Sequence, residues 1–197
     1  EHVAGVELDN GETLDVDFVV AGIGVDPKTD LFENTGLHIH DGIVVNKYLE
    51  SNWDGIFAAG DVANYYDVIF QKRRRVEHWD NAVQQGTHAA KVMTAARRRD
   101  EFIYLRYFFS DVFDLSYEFW GDTQYTDRVV YRGDLSSGSF SVWWLAGNRL
   151  DAAFVMNRPD EERAHAPEWI RARRRVVAAQ LQDESMPFDK MTPQLVF

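Results

Sequence analysis

Cysteine is absent from all 197 residues of the sequence. Within this chain, that absence excludes a disulfide, a Cys-x-x-Cys redox pair, a thiolate nucleophile and a cysteine-ligated metal. Any redox centre therefore has to be a bound organic cofactor. The six histidines show no spacing typical of metal ligands, so we predict no metal site.

Positive charge is also scarce, because 21 lysine and arginine residues face 32 aspartate and glutamate residues, for a formal net charge of -11. This balance argues against binding to nucleic acid. With no apolar run of about 18 residues and no opening signal peptide, we expect no membrane span and a cytoplasmic protein. The chain opens on Glu1, and a strand pattern starts at once. We therefore expect a fragment of a longer protein.

Apolar residues make up 45% of the chain, which is enough for a hydrophobic core. A hairpin is predicted over residues 2–17, where Asn10-Gly11 can supply the positive φ angles of a two-residue turn. Buried strands are predicted at Phe18–Ala21 and Gly55–Ala59, and a further short strand at Gly42–Val45.

A long helix is predicted at Asp80–Arg98, and an antiparallel sheet after it. Asp80 is the candidate helix cap, and Arg97, Arg98 and Arg99 complement the helix dipole. The apolar face of the helix carries Val83, Ala89, Ala90, Val92, Met93 and Ala96. Four strands are expected, at Leu115–Trp120, Arg128–Arg132, Ser139–Leu145 and Arg149–Met156. A helix broken at Pro167 is expected over Pro159–Arg175, and the boundary between two structural units lies near residues 98–104.

Two stretches carry residues that could bind a ligand. The first is Gly60-Asp61, where glycine allows close backbone approach and the carboxylate can accept hydrogen bonds from a sugar or ribityl hydroxyl. This pair also fits an ordinary strand end with an aspartate cap. The earlier run Ala21-Gly22-Ile23-Gly24 lacks the third glycine of a dinucleotide fingerprint and by itself indicates only a strand and a turn.

The second stretch is Arg73–Ala82, which places charge, imidazole and indole just before the long helix. His78 and Trp79 could stack on a flat ring system, and Glu77 could accept a hydrogen bond from an amide. The alternative is a solvated arginine run beside a helix cap, with Trp79 filling the core.

Taken in order, these motifs resemble one family, the FAD-dependent NAD(P)H oxidoreductases of the pyridine nucleotide-disulfide oxidoreductase superfamily. The resemblance is to the group of ferredoxin reductases, monodehydroascorbate reductases and apoptosis-inducing factor. It rests on Ala21-Gly22-Ile23-Gly24 with Pro27, on Gly55–Asp61, on Arg73–Val83, and on the stretch Tyr107–Asp122. It touches most of residues 3–122 and becomes weaker beyond them.

The resemblance implies roles for seven residues. Gly60 and Asp61 match the position that holds the ribityl-pyrophosphate region of FAD. Glu77 and His78 match positions near the nicotinamide and the flavin ring, and are the catalytic candidates. The other matches are Trp79, an aromatic placed against the isoalloxazine, Phe109, where many relatives carry tryptophan, and Gly24, a backbone site beside the pyridine nucleotide.

The resemblance also implies the architecture. We expect the end of an NAD(P)H-binding domain at residues 1–30, the last segment of an FAD-binding domain at residues 31–100, and an α+β carboxyl-terminal domain with an antiparallel sheet at residues 101–197. The first two form the α/β end of a flavoprotein with two dinucleotide-binding domains. Both glycine-rich fingerprints of the family are missing, so we expect these residues alone to bind neither FAD nor NAD(P)H tightly and to be inactive.

In the intact protein, electrons would pass from NAD(P)H through FAD to an acceptor such as a ferredoxin-type iron–sulfur protein or a small organic oxidant. The sequence does not specify that acceptor or the choice between NADH and NADPH. The alternative is a carboxyl-terminal module for dimerisation or partner docking, without catalysis of its own. Alternation along Ser139–Leu145 places one of the two tryptophans, Trp143 or Trp144, on the outer face of the sheet. An exposed tryptophan there would indicate a contact with a partner, whereas the alternative is a sheet that is buried on both faces.

Overall fold

A computed structural model describes residues 2–95 and 100–191. Its first part has five short strands: β1 (Gly5–Glu7), β2 (Thr13–Asp15), β3 (Ile43–Val44), β4 (Ala63–Asp67) and β5 (Lys72–Arg74). β1 and β2 form an antiparallel hairpin, while β3 pairs in parallel with β4 and β4 antiparallel with β5. Helix α1 (Trp79–Thr94) follows β5.

The second part is a five-stranded antiparallel sheet with the strand order β6-β7-β10-β9-β8. Its strands are β6 (Tyr107–Val112), β7 (Leu115–Gly121), β8 (Arg128–Asp134), β9 (Ser139–Ala146) and β10 (Arg149–Met156). Helices α2 (Asp160–Arg171) and α3 (Ala178–Gln182) complete it. The four strands expected here are confirmed within two residues at each end, as is the fold class of α/β followed by α+β; β6 was not predicted.

Two hydrophobic cores hold these parts together. The larger lies between the sheet and α2, where Trp143, Trp169 and Ile170 are almost fully buried. The smaller packs β3 and β4 against α1, around Leu49 and Tyr65. Side chains alternate in direction along a strand, and adjacent residues of β6 accordingly serve different cores: Tyr107 packs on the larger and Phe108 on the smaller.

Several local predictions for the first part are wrong. Phe18–Ala21 forms no strand, and Phe18 and Val20 are 76% and 84% exposed, because no other strand pairs with this run in the described chain. Gly55–Ala59 makes only an isolated bridge between Phe57 and Glu50. Between β1 and β2, the Leu8 N–H donates to the Glu12 carbonyl at 2.8 Å, so three residues rather than two lie inside the closing pair. Gly11 has positive φ, whereas Asn10 does not.

The helices also differ from their predicted forms. α1 begins at Trp79 and ends at Thr94, and Val83 and Met93 on its predicted apolar face are exposed. The buried residues of α1 are Asn81, Gln85, Ala89 and Val92. Ala96 and the three arginines predicted to end the helix lie outside the described residues. α2 continues through Pro167 without a break, since Ala166, Trp169 and Ile170 anchor it in the core. No helix of the described chain has the length and hydropathy needed to cross a bilayer.

Candidate functional site

Gly60 brings the backbone of a tight turn against the start of α1. It opens the 3-10 turn Gly60–Val62 with φ +79°, a conformation that favours glycine. Its N–H donates to Oε1 of the buried Gln85 at 2.7 Å, and a Cβ placed on Gly60 would lie 3.5 Å from that of Ala82. The exposed Asp61 therefore lies beside the amino-terminal end of the helix.

Arg75 joins this turn to the residues that precede α1. Its Nη1 donates to the Asp61 carbonyl at 3.1 Å and to the Glu77 carboxylate at 2.5 Å, and its Nε donates to the Asp41 carboxylate at 2.9 Å. Partial burial opposes the charge, but the bonds to Glu77 and Asp41 outweigh it and raise the pKa of Arg75. Arg75 thereby fixes the distance between the two predicted ligand-binding stretches.

His78, rather than the predicted Asp80, caps α1. Its Nδ1 accepts the Asp80 N–H at 3.2 Å, which satisfies one of the N–H groups that a helix start leaves without an intrahelical partner. Its ring lies edge-on to Phe108 and Phe109, with centroid distances of 4.8 and 6.1 Å. The cap and the aromatic contacts hold the imidazole in one orientation.

Trp79 is 72% exposed at the first position of α1, so the alternative that it fills the core is wrong. Phe109 is 48% exposed and also stacks on Tyr107 at 5.6 Å. An open surface with several aromatic side chains therefore surrounds the amino-terminal end of the helix, where the helix dipole favours negative charge.

The structure thus brings six of the seven candidate residues to one region: Gly60, Asp61, Glu77, His78, Trp79 and Phe109. Gly24 is the exception. It is exposed with φ +81°, and nothing lies within 4 Å of where its Cβ would be. Its proposed role depends on a ligand and stays a prediction.

Sequence reasoning missed three residues that build this site. Phe108 contacts His78 directly, and Arg75 makes the bridge described above. The Tyr104 hydroxyl donates to the Asp80 carboxylate at 2.8 Å. Burial, with a further contribution from Asp80, raises the pKa of Tyr104, so the hydroxyl keeps its proton and ties the segment before β6 to α1. The family pattern of two consecutive aromatics at 108 and 109 was the available signal for Phe108.

These residues fit a ligand that combines a flat ring with hydroxyl and anionic groups. Trp79, His78 and Phe109 offer aromatic surface to a ring. Asp61 can accept hydrogen bonds from hydroxyls, and Gly60 lets a ligand approach the backbone closely beside the positive end of α1. The surface is one wall of a site, since Trp79 and Asp61 remain open to solvent.

Comparison with known families gives two matches. Residues 1–86 match a family described as pyridine nucleotide-disulphide oxidoreductase, and residues 107–192 match one described as reductase C-terminal. The first match ends within α1 and the second begins at the start of β6, so residues 87–106 lie between them.

Individual proteins are similar over most of this chain. Putidaredoxin reductase of Pseudomonas putida is 31% identical over 97% of this chain and 44% of its own length. The peroxisomal monodehydroascorbate reductase 4 of Arabidopsis thaliana is 36% identical over 81% of this chain and 33% of its own length. The chain therefore spans less than half the length of these relatives.

A solved structure extends the similarity to three dimensions. The covalent putidaredoxin reductase–putidaredoxin complex contains a chain that is 31% identical, covers 95% of this chain and 44% of its own length, and aligns with a TM-score of 0.85. The fold of this chain therefore resembles part of an experimental structure.

Proposed function

Because the chain belongs to the FAD-dependent pyridine nucleotide-disulphide oxidoreductase family, we propose that it is part of an enzyme that passes electrons from NAD(P)H through FAD to an acceptor. FAD and NAD(P)H are the cofactors of that family. The observation that carries the proposal is the Arg75 bridge, which places Gly60-Asp61 and Glu77-His78-Trp79 on one surface.

Gly60 and Asp61 would hold the ribityl-pyrophosphate region of FAD. Because glycine has no side chain, Gly60 can adopt its positive φ and leaves the turn open to a ligand. The exposed carboxylate of Asp61 can accept hydrogen bonds from hydroxyl groups. The amino-terminal end of α1 would favour negative charge at the ligand. Arg75 is a positioning residue, because it contacts Asp61 and Glu77 and fixes both.

His78 and Glu77 would orient the nicotinamide against the flavin, and Trp79 and Phe109 would cover the ring and exclude water. When bound, FAD supplies hydride acceptance and the onward release of electrons. Gly24 would offer its backbone to the pyridine nucleotide. The hydrogen bond from the Asp80 N–H and the edge-on phenylalanines would keep the imidazole of His78 from rotating.

The test replaces His78 in flavin-loaded protein that contains these residues. His78→Ala should slow flavin reduction by NAD(P)H at least tenfold in stopped-flow absorbance, because the nicotinamide would no longer be oriented against the flavin. A tenfold change corresponds to ~1.4 kcal/mol of activation free energy. FAD retention should change much less. His78→Asn keeps a side chain able to cap α1 and controls for helix stability. Reduction at the parent rate in the alanine variant would contradict the role.

Residues 1–197 alone should retain neither cofactor tightly and should be inactive. The chain spans under half of its relatives, and its sequence contains no Gly-x-Gly-x-x-Gly segment to bind a pyrophosphate at a helix start. The purified chain should therefore show no visible flavin bands after FAD is added and excess removed by gel filtration. Stoichiometric retained flavin would refute this part of the proposal.

Two classes of acceptor are supported by the relatives, an iron–sulfur protein by putidaredoxin reductase and a small organic radical by the monodehydroascorbate reductases. We favour the iron–sulfur protein, because the solved complex pairs a similar chain with putidaredoxin. Steady-state reduction of a ferredoxin compared with that of monodehydroascorbate decides between them. We also propose a cytoplasmic location, which fractionation checks against the peroxisomal location of the plant relative.

We retain the three-part division at residues 1–30, 31–100 and 101–197 as a proposal. The boundary near residue 100 is supported by the two cores, one built by residues 43–102 and the other by residues 105–191. Limited proteolysis should cut first near residues 96–104 if these cores are separate cooperative units.

A second candidate function is a dimerisation or docking module in residues 101–197. The observation that favours it is the outer sheet face, where half-buried aromatics contact one another: Tyr117, Phe119, Phe140, Trp144 and Phe154. Trp143 is the buried member of its pair, and Trp144 is on this outer face. Light scattering should show a dimer that Trp144→Ser weakens; a monomer for both proteins would exclude self-association.

A further inference from the structure

A groove lined by four arginines lies where the two cores meet, away from the site described above. Its volume is about 670 Å³. Phe70, from the β4–β5 loop, and Ile103 form part of its apolar floor. Its cationic residues come from the start of β10 and from the carboxyl end of α2 and the segment after it: Arg149, Arg171, Arg173 and Arg175.

The positive charge of this groove is only partly neutralised. Asp151 is its acidic neighbour: Arg149 forms a bidentate pair with it at 2.8 and 2.9 Å, and Nη1 of Arg173 lies 3.3 Å from its Oδ1. Arg171 and Arg175 are exposed and have no carboxylate partner among residues 2–95 and 100–191. Arg149 and Arg173 thus share one ion-pair partner, and the two arginines that are unpaired in the described chain leave positive charge at the surface of a protein whose net charge is -11.

Arg173 is held in place by its backbone conformation and by a contact with an aromatic ring, so the groove has a defined shape as well as charge. Its backbone has φ +52°, an uncommon conformation for a residue with a side chain, and its guanidinium lies over the Phe70 ring at 5.2 Å. Its Nη1 is buried and forms an ion pair with Asp151, at 3.3 Å, rather than a well-aligned hydrogen bond. Burial lowers the pKa of Arg173, in keeping with a cation held against an apolar floor.

We propose that this arginine groove binds a carboxylate-rich polypeptide segment that carries an apolar side chain. Carboxylates of the segment would pair with Arg171 and Arg175 at the rim, and the apolar side chain would contact Phe70 and Ile103. Guanidinium groups suit such contacts because they accept carboxylates through two parallel hydrogen bonds. The inference concerns a different surface from the FAD site and holds or fails independently of it.

The size and floor of the groove favour a polypeptide over a small anion. A phosphate would occupy a small part of a 670 Å³ groove and would leave Ile103 uncovered. The side chain of Ile103 is 67% exposed, so the floor still has apolar surface to bury. An acidic partner is repelled by most of this protein, which makes the groove a preferred point of approach.

The experiment measures binding of a short fluorescein-labelled peptide of glutamates with a central phenylalanine to the full chain by fluorescence anisotropy. The peptide should bind, with affinity falling as salt rises. The same peptide with glutamine in place of glutamate should not. Arg171→Gln with Arg175→Gln should weaken binding about tenfold, as expected for two exposed charge pairs.

The matched control, Lys28→Gln with Lys91→Gln, removes the same charge from exposed sites outside the groove and should leave binding unchanged. Ile103→Asp should weaken binding while every arginine stays in place. Equal losses in the control and the arginine variant, or no binding by the parent chain, would overturn the proposal. So would displacement of the peptide by an equal concentration of inorganic pyrophosphate, which would identify a small-anion site.

Discussion

Asp122 is a buried carboxylate between two cations, and it makes the stability of this protein sensitive to acid. It pairs with Lys72 and with Arg74, whose side chain is only 8% exposed. Burial opposes ionisation, but the hydrogen bond from Lys72 and the bonds from Gln124 and Arg74 outweigh it and lower the pKa of Asp122. A carboxyl with a lowered folded pKa stabilises above its unfolded pKa, about 3.9, and this contribution is lost as the pH falls through the folded value.

We predict that Asp122→Asn lowers the free energy of unfolding at neutral pH by about 3 kcal/mol, because it leaves Arg74 buried with Asp67 as its remaining partner. The loss should shrink as the pH falls below about 4 and through the lowered folded pKa, because the parent carboxyl then takes up a proton as well. Urea unfolding at a series of pH values measures both effects. Parallel stability curves for parent and variant would show that Asp122 is not the titrating group.

At the scale of single residues, the sequence offers candidate residues for the site more readily than the residues that support them. Glu77, His78 and Trp79 stand in a motif that can be read locally. Arg75 is one of three consecutive arginines, and nothing local distinguishes it. Its role depends on Asp41 and Asp61, which are brought near it only by folding.

Gly121, at the end of β7, shows how the antiparallel sheet depends on one element passing close to another. Its φ is +94°, and an added Cβ would meet the Asp151 carbonyl oxygen at 2.1 Å. The register between β9 and β10 shifts between Leu150 and Ala152, and the Asp151 carbonyl accepts the Asp122 N–H at 2.9 Å. The irregularity in β10 therefore directs the Asp151 carbonyl at position 121, where glycine is the residue that leaves room for it.

We predict that Gly121→Ala destabilises the sheet by about 3 kcal/mol or more, since it adds a backbone clash to a strained φ. Gly147→Ala is the matched control: its φ is also positive, at +61°, but nothing lies within 4 Å of the added Cβ, so it should cost only about 1 kcal/mol. Thermal unfolding followed by circular dichroism compares the two. Equal losses would mean that the backbone angle alone, rather than the close approach, sets the cost.

At the scale of elements, prediction succeeded where glycines mark the ends of strands and failed where packing is less simple. β7 to β10 are separated by such glycines and were found. β6 places aromatic side chains toward two cores, β4 buries the polar residues Asn64 and Asp67, and β5 is entirely basic, so none of them shows the usual pattern. Tertiary contacts also carry α2 through Pro167, which local propensity treats as a break.

Arg132 connects distant parts of the carboxyl-terminal unit through one buried guanidinium. It pairs with Glu162 of α2 at 3.2 Å and is 5% exposed. It also donates to four backbone carbonyls, at distances of 2.5 to 3.3 Å: those of Leu181, Asp183, Glu184 and Met186. The chain after α3 is thus held to the sheet by a side chain about fifty residues away, as the separations of 49 to 54 positions show.

We predict that Arg132→Lys lowers the free energy of unfolding by about 3 kcal/mol, because a lysine cannot reach four carbonyls and a carboxylate from one position. Proteolysis should then cut the segment after residue 182 first. Arg128→Lys, at an exposed position of the same strand, is the control and should change neither quantity by more than about 0.5 kcal/mol. Uniform cleavage along the variant would show that Arg132 stabilises the whole unit rather than this segment.

For the whole molecule, motif order was the informative signal. The order of the glycine pairs, the basic stretch and the aromatic opening of the sheet predicted the family and the fold class. The arginine groove could not be predicted, since Arg149 is separated by more than twenty residues from Arg171, and neither position belongs to a motif. Charges that meet only through tertiary structure leave no local pattern.

The exposed run from Phe18 to Val25 has a practical consequence for anyone who handles this chain alone. Its apolar side chains and unpaired backbone offer a template on which a second molecule can add a β-strand, and Asp17 and Asp26 are the only charges next to it. The purified polypeptide should therefore aggregate with time, even though its cores remain folded. Val20→Lys should slow this aggregation without altering the melting temperature, because the side chain at position 20 is exposed.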